Sequence, residues 1–219
     1  HSTSRRQRQM CIRDSPNTTG RLFGSIGYFL EPILLTSTLI AVGYPSKYIT
    51  IEYGILSGYV MPLLLLPSFF TMAISQALLP IVSREYSKGN YTSVKKKIKQ
   101  AITYSLLIGI PVTIFFIIIP ELPLKIIYHT TEGTAYMRFL APICLFQYIQ
   151  SPLSSALDAM GKSRDAMIAT AIGVIIRSSL LVILSLFKIG LWGLIIAISI
   201  NVLAVTFYSL KKVRYHLTF

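Results

Sequence analysis

Apolar residues fill six stretches of the chain, and charged residues are confined almost entirely to the connections between them. The stretches cover 22–43, 53–82, 101–120, 139–157, 166–187 and 189–210. Each is long enough, as a helix, to cross a hydrocarbon core of about 30 Å, which takes roughly 20 helical residues. Lipid offers the backbone no hydrogen-bond partner, so runs of this length must satisfy their peptide groups internally as helices. The pattern predicts an all-α integral membrane protein, a six-transmembrane-helix bundle.

The charges that remain order the bundle. Arg84, Lys88, Lys95, Lys96, Lys97 and Lys99 fall between the second and third spans, Lys162 and Arg164 between the fourth and fifth, and Lys211, Lys212 and Arg214 after the sixth. Lys47, Lys125 and Lys188 fall on the other connections, so eleven basic residues face three. By the positive-inside rule the basic set is cytoplasmic. Both ends of the chain are then expected on the cytoplasmic side of the membrane.

Local signals refine the spans. Pro62 and Pro67 in the second span, with Pro80 near its exit, predict bending, as does Pro111 in the third. Gly89-Asn90 predicts a helix stop. Residues 93–100 (SVKKKIKQ) predict a basic helix leading straight into the third span, either an ordinary positive-inside anchor or a site for anionic lipid. Residues 121–129 predict a short outward-side interfacial helix. Ser163 is placed to cap the fifth span, and Trp192 to anchor the sixth at the outer interface.

Composition narrows the function classes. The 219 residues are 53% hydrophobic and only 13% charged, against about a quarter charged in a soluble domain. The net charge of +13 sits at span ends and not on one face with interleaved aromatics, which argues against nucleic acid. Cys11 and Cys144 give no disulfide framework, and His1, His129 and His216 give no ligand spacing. No catalytic, metal-binding or cofactor motif is present, so an enzyme is not expected.

Two ionisable residues lie deep within spans, Glu31 in the first and Arg177 in the fifth. Charge in a bilayer is expensive and normally faces a water-filled cavity or a partner. The pair therefore marks either a cavity for a charged substrate or a structural ion pair. Arg138 opens the fourth span, at an outer mouth or snorkelling to headgroups. Gln76, Gln147 and Asn201 complete the candidate substrate or ion cavity; interhelical hydrogen bonds are their other reading, as for Gln150.

Residues 1–15 (HSTSRRQRQMCIRDS) lack an apolar h-region and read as translated sequencing-adapter sequence, the alternative being a genuine basic juxtamembrane tail. Residues 16–219 are then the six-helix lobe.

Residues 53–91, with their Tyr-Gly-Ile and Ser-Gly opening, Pro-Leu and Leu-Pro-Ser pair and Leu-Leu-Pro-Ile-Val-Ser exit, carry a resemblance. Ile108-Gly-Ile-Pro111, Leu140-Ala-Pro142, Leu157-Asp-Ala-Met-Gly-Lys162 and Gly190-Leu-Trp-Gly193 continue it in order. The chain resembles the bacterial polysaccharide and lipid-linked oligosaccharide flippases of the multidrug/oligosaccharidyl-lipid/polysaccharide exporter superfamily, close to the stage V sporulation protein B group. The resemblance implies the C-terminal lobe of a two-lobe MATE-like transporter, with the N-terminal lobe of the same protein as its missing partner. It implies a lipid-linked oligosaccharide or polyprenyl-pyrophosphate sugar as substrate, Arg177 as contact to the phosphate headgroup, and Glu31 as a cavity or ion-coupling residue. Cation-coupled multidrug efflux on the same fold, or a non-transporting scaffold for cell-wall or spore-envelope assembly, are the alternatives.

Overall fold

The computed structural model describes Leu22 and residues 24–217; the adapter-like stretch 1–15 lies outside them. The described residues form helices throughout. These are α1 (Gly24–Ala41), α2 (Ser46–Gly54), a π-helical segment (Ile55–Val60), α3 (Met61–Leu65), α4 (Ser68–Ser87), α5 (Tyr91–Ile118), α6 (Glu121–Tyr128), α7 (Thr134–Ala159), α8 (Ser163–Ser185) and α9 (Trp192–Leu217).

Five helical stretches are long and apolar enough to cross a membrane: Gly24–Ala41, Ser46–Leu65, Tyr91–Ile118, Ser163–Ser185 and Trp192–Leu217. The sixth expected span, 139–157, lies within α7, which has 26 residues but carries Gln147, Gln150, Ser151, Ser154 and Ser155. It tolerates them because it packs against α4, α5 and α9, which leaves these polar side chains half-buried within the bundle. One such contact joins Ser151 Oγ to Ser75 Oγ of α4 at 2.9 Å.

Two clusters of buried residues fill the bundle. One joins Val82, Val94, Ile98, Leu157, Met160 and Val213 near the basic connections. The other joins Leu39, Ile49, Leu124, Met137, Leu191 and Leu194. Lys-rich connections thus share one end of the bundle, and the short helix α6 lies at the other.

The turns follow the sequence signals with one exception. Gly89 adopts φ +73°, and the Asn90 side chain accepts the Ser93 N–H to cap α5, so the basic segment runs unbroken into the third span. Ser163 does not cap α8. Lys162 occupies that position without a side-chain bond, because Gly161 at φ +72° turns the chain so that the Lys162 carbonyl itself accepts from Asp165 N–H at 2.9 Å.

The second span differs most from expectation. Its apolar run, 53–82, is not one bent helix. Helix begins earlier, at Ser46, passes through the π-helical segment, stops at Leu65 and restarts at Ser68. Pro67 has no N–H to continue the ladder, and two carbonyls freed there find hydroxyl donors. Tyr148 of α7 donates to Leu64 O at 2.5 Å, and Ser68 Oγ donates to Leu65 O. In a bilayer such carbonyls cannot turn to water. Tyr148→Phe should therefore cost about 1–3 kcal/mol, the usual penalty for orphaning a buried polar group. Thermal or denaturant unfolding in detergent checks this; a variant as stable as wild type shows that the Leu64 carbonyl is satisfied another way.

Candidate functional site

Glycine sets the spacing of the helices that build the site. A Cβ on Gly27 of α1 would lie 2.8 Å from the Val174 methyls of α8, and one on Gly173 of α8 would lie 2.5 Å from Asn201 Oδ1 and 2.6 Å from Val205 Cγ2 of α9. Small residues let membrane helices approach closely. Here they clamp α8 between α1 and α9, one helical turn from Arg177.

That proximity brings the two intramembrane charges together. Arg177 Nη2 lies 2.5 Å from Glu31 Oε2, with side chains only 15% and 9% exposed. The Tyr28 ring, one turn before Glu31 on α1, sits 5.5 Å from the guanidinium carbon of Arg177, within cation–π range.

The pair borders a cavity of about 180 Å³ whose lining includes Gln147, Gln150, Thr170, Ser178 and Asn201. Among the described residues, Glu31 and Arg177 are the only ionisable side chains of Asp, Glu, Lys, Arg or His type in that lining. Four buried polar atoms there have no hydrogen-bond partner among the described residues: Glu31 Oε2, which meets Arg177 Nη2 as an ion pair, Arg177 Nε, Gln150 Oε1 and Asn201 Oδ1. Buried polar atoms are normally paired, so a donor on Arg177 and two amide acceptors beside the cavity are left without the partners such groups usually have. Cys144, buried as its mid-span position suggests, is part of the apolar wall.

Of the six candidate residues, the structure brings Glu31, Arg177, Gln147 and Asn201 to this cavity. Arg138 and Gln76 are not in its lining, and both are exposed. Arg138 follows the buried Met137 and is turned about 100° from it around α7, and Gln76 follows the inward-facing Ser75 on α4. Sequence reasoning did not select Tyr28, Thr170 or Ser178. Tyr28 stands three residues before Glu31 and Thr170 seven before Arg177, spacings that share a helix face.

A second carboxylate contact is not signalled by the sequence pattern. Tyr136 of α7 donates to Glu52 Oε2 at 2.5 Å. With the second span read as beginning at residue 53, Glu52 falls just outside it; in the structure it lies within a helix already under way at Ser46.

The MatE family model matches residues 56–183. The chain belongs to the MatE family. Among curated proteins, this MatE chain is 32% identical over 193 residues to stage V sporulation protein B of Bacillus subtilis (strain 168), covering 87% of the chain and 37% of that protein. It is 27% identical over 209 residues to sporulation protein YkvU of the same organism, covering 94% and 47%. It is 22% identical over 169 residues to that organism's lipid II flippase MurJ, covering 74% and 31%. The chain therefore spans less than half the length of each of these relatives.

Solved structures show the same fold. The crystal structure of a MATE point mutant superposes with a TM-score of 0.75 at 16% identity, over 93% of this chain and 44% of that one. An outward-facing multidrug resistance MATE family transporter of the MOP superfamily gives 0.68 at 14%, over 90% and 43%. With its apolar helices, membership of this family makes the chain a multi-pass membrane protein.

Proposed function

We propose that this chain is one lobe of a flippase that moves a lipid-linked saccharide, a cell-envelope precursor, across the bacterial cytoplasmic membrane. The observation that carries the reading is Arg177, a guanidinium held in a protein cavity with an unpartnered N–H. A planar guanidinium suits a phosphate or pyrophosphate headgroup because its donors match two oxygens at once. The similarity to a lipid II flippase supports the same class of substrate. The cavity takes a headgroup-sized moiety; at about 180 Å³ it is smaller than the roughly 300–1,000 Å³ of pockets for drug-sized ligands, so the saccharide lies outside it.

The lobe works with a second, N-terminal lobe of the same protein, because alternating access needs two bundles rocking about a central site. Its basic end is cytoplasmic, by the excess of Lys and Arg there. The role is transport and assigns no catalytic residue, cofactor or metal. Multidrug efflux fits less well. Its cationic substrates call for a free carboxylate, and Glu31 is already matched by Arg177.

The test is flipping of a polyprenyl-pyrophosphate-linked saccharide by proteoliposomes of the complete protein. Arg177→Ala should reduce it at least about ten-fold, the worth of a charged hydrogen bond of roughly 1.5–3 kcal/mol. Arg177→Lys keeps the charge but loses the two-pronged geometry, and should fall between. Undiminished flipping by a normally folded Arg177→Ala protein removes the residue from the substrate path and favours a scaffold.

A further inference from the structure

Helix α5 is longer than a membrane is thick. Its 28 residues span about 42 Å at 1.5 Å per residue, against a hydrocarbon core of about 30 Å. The surplus is its first turns, which are held rigidly. Val94, Ile98 and Ala101 are buried against Val82, Leu157 and Met160.

The opposite face of α5 is one continuous exposed stripe. It runs through Lys95, Lys96, Lys99, Gln100, Thr103 and Tyr104, then Leu107, Ile110, Ile114 and Ile118. These positions recur at the helical spacing of three and four. Along the stripe the chemistry changes once. Below Gln100 it is basic; from Leu107 onward it is apolar. The Gln100 side-chain amide donates to the Tyr104 hydroxyl at 2.8 Å at the boundary, where an aromatic with a polar tip belongs.

The three lysines carry uncompensated charge. Among the described residues none of them is in an ion pair, and the nearby Glu85 is taken by Lys88 at 3.5 Å and by the Asn90 amide at 3.1 Å. Lys99 to Ile110 is about 16 Å along the axis, close to the thickness of one leaflet, half of the roughly 30 Å core.

We propose that this stripe seats an anionic phospholipid, its headgroup on Lys95, Lys96 and Lys99 and its acyl chains along Leu107, Ile110 and Ile114. A net negative headgroup is selected because the lysines meet no protein carboxylate; a zwitterionic headgroup brings its own cation to the same place. Each lysine near an anionic surface strengthens the attraction, and the effect is screened by salt.

The experiment uses the complete protein in nanodiscs of equimolar phosphatidylglycerol and phosphatidylcholine, with retained lipid counted by native mass spectrometry after gentle delipidation. Wild type is expected to retain phosphatidylglycerol in about five-fold excess or more, and K95Q/K96Q/K99Q to retain the two lipids nearly equally. K95R/K96R/K99R should keep the preference, which guards against a folding artefact. K162Q/R164Q, basic residues at the same end but off the stripe, should keep it too. Equal retention by wild type overturns the proposal, as does a preference that survives K95Q/K96Q/K99Q or disappears with K162Q/R164Q.

Discussion

Arg177→Met alone should destabilise the protein by about 3–5 kcal/mol, and Glu31→Leu/Arg177→Met together should restore most of that loss. The single change leaves a carboxylate at the α1–α8 contact, with its side chain 9% exposed and its cation gone. The double change removes both charges and their desolvation together, filling the space with side chains of similar bulk. A buried ion pair is weak evidence for stability in itself, since hydrophobic replacements of both partners are often neutral or better. Unfolding of the four proteins of the cycle in one detergent measures the coupling. A double variant whose loss equals the sum of the two single losses shows that the two side chains do not sense each other. Flipping adds the functional half of the experiment. A double variant that folds well yet does not transport keeps Arg177 in the substrate path and assigns the pair's retention to function, not to folding.

Gly133→Ala is the second large effect, at about 2–5 kcal/mol. Gly133 ends the turn before α7 at φ +85°, a conformation that costs an L-residue about 1–2 kcal/mol. An alanine Cβ there would also lie 2.6 Å from Val60 Cγ2 and 2.8 Å from Ile55 Cγ2. These are methyls on branched, buried side chains of the π-helical segment, and overpacking of this kind adds about 1–3 kcal/mol. Gly89 supplies the comparison. It shares a positive φ of 73°, but nothing lies within 4 Å of its would-be Cβ. Gly89→Ala should therefore show the conformational part alone, and the difference between the two, measured by thermal unfolding, is the packing contribution. Equal effects would mean that the π-helical segment yields to the extra methyl.

The bundle was legible because hydropathy and length dominate in lipid, and because the lysines punctuate alternate connections. The bounds of the second span were not. The apolar run from residue 53 hides a helix that starts at Ser46, since residues 46–52 mix Lys47, Tyr48 and Glu52 with apolar neighbours. Pro67 was visible, but whether a proline bends or breaks a membrane helix depends on donors elsewhere, here Tyr148, 84 residues from the carbonyl it serves. Glu31 and Arg177 stood out as costly charges. Their contact did not, because it depends on how α1 and α8 are rotated about their axes, and that is fixed by Gly27 against Val174. The same rotational ambiguity made Gln76 and Arg138 look equivalent to Gln147 and Asn201.

The break after Leu65 gives the second span the mechanics of a jointed rod. Among the described residues no backbone hydrogen bond runs from residues beyond Pro67 to carbonyls of Met61–Leu65; the join is made by the covalent chain, by Leu66, which donates to Leu63 O and accepts from Phe69 N–H, and by two hydroxyls. Below it, α4 is braced by α5 and α7. Changing the angle at this joint disturbs only these short turns and no i→i+4 bond between the two helices, so side chains add to its stiffness. Tyr148 works there as a removable pin, and a library of substitutions at Tyr148 would tune the span's flexibility without touching either half.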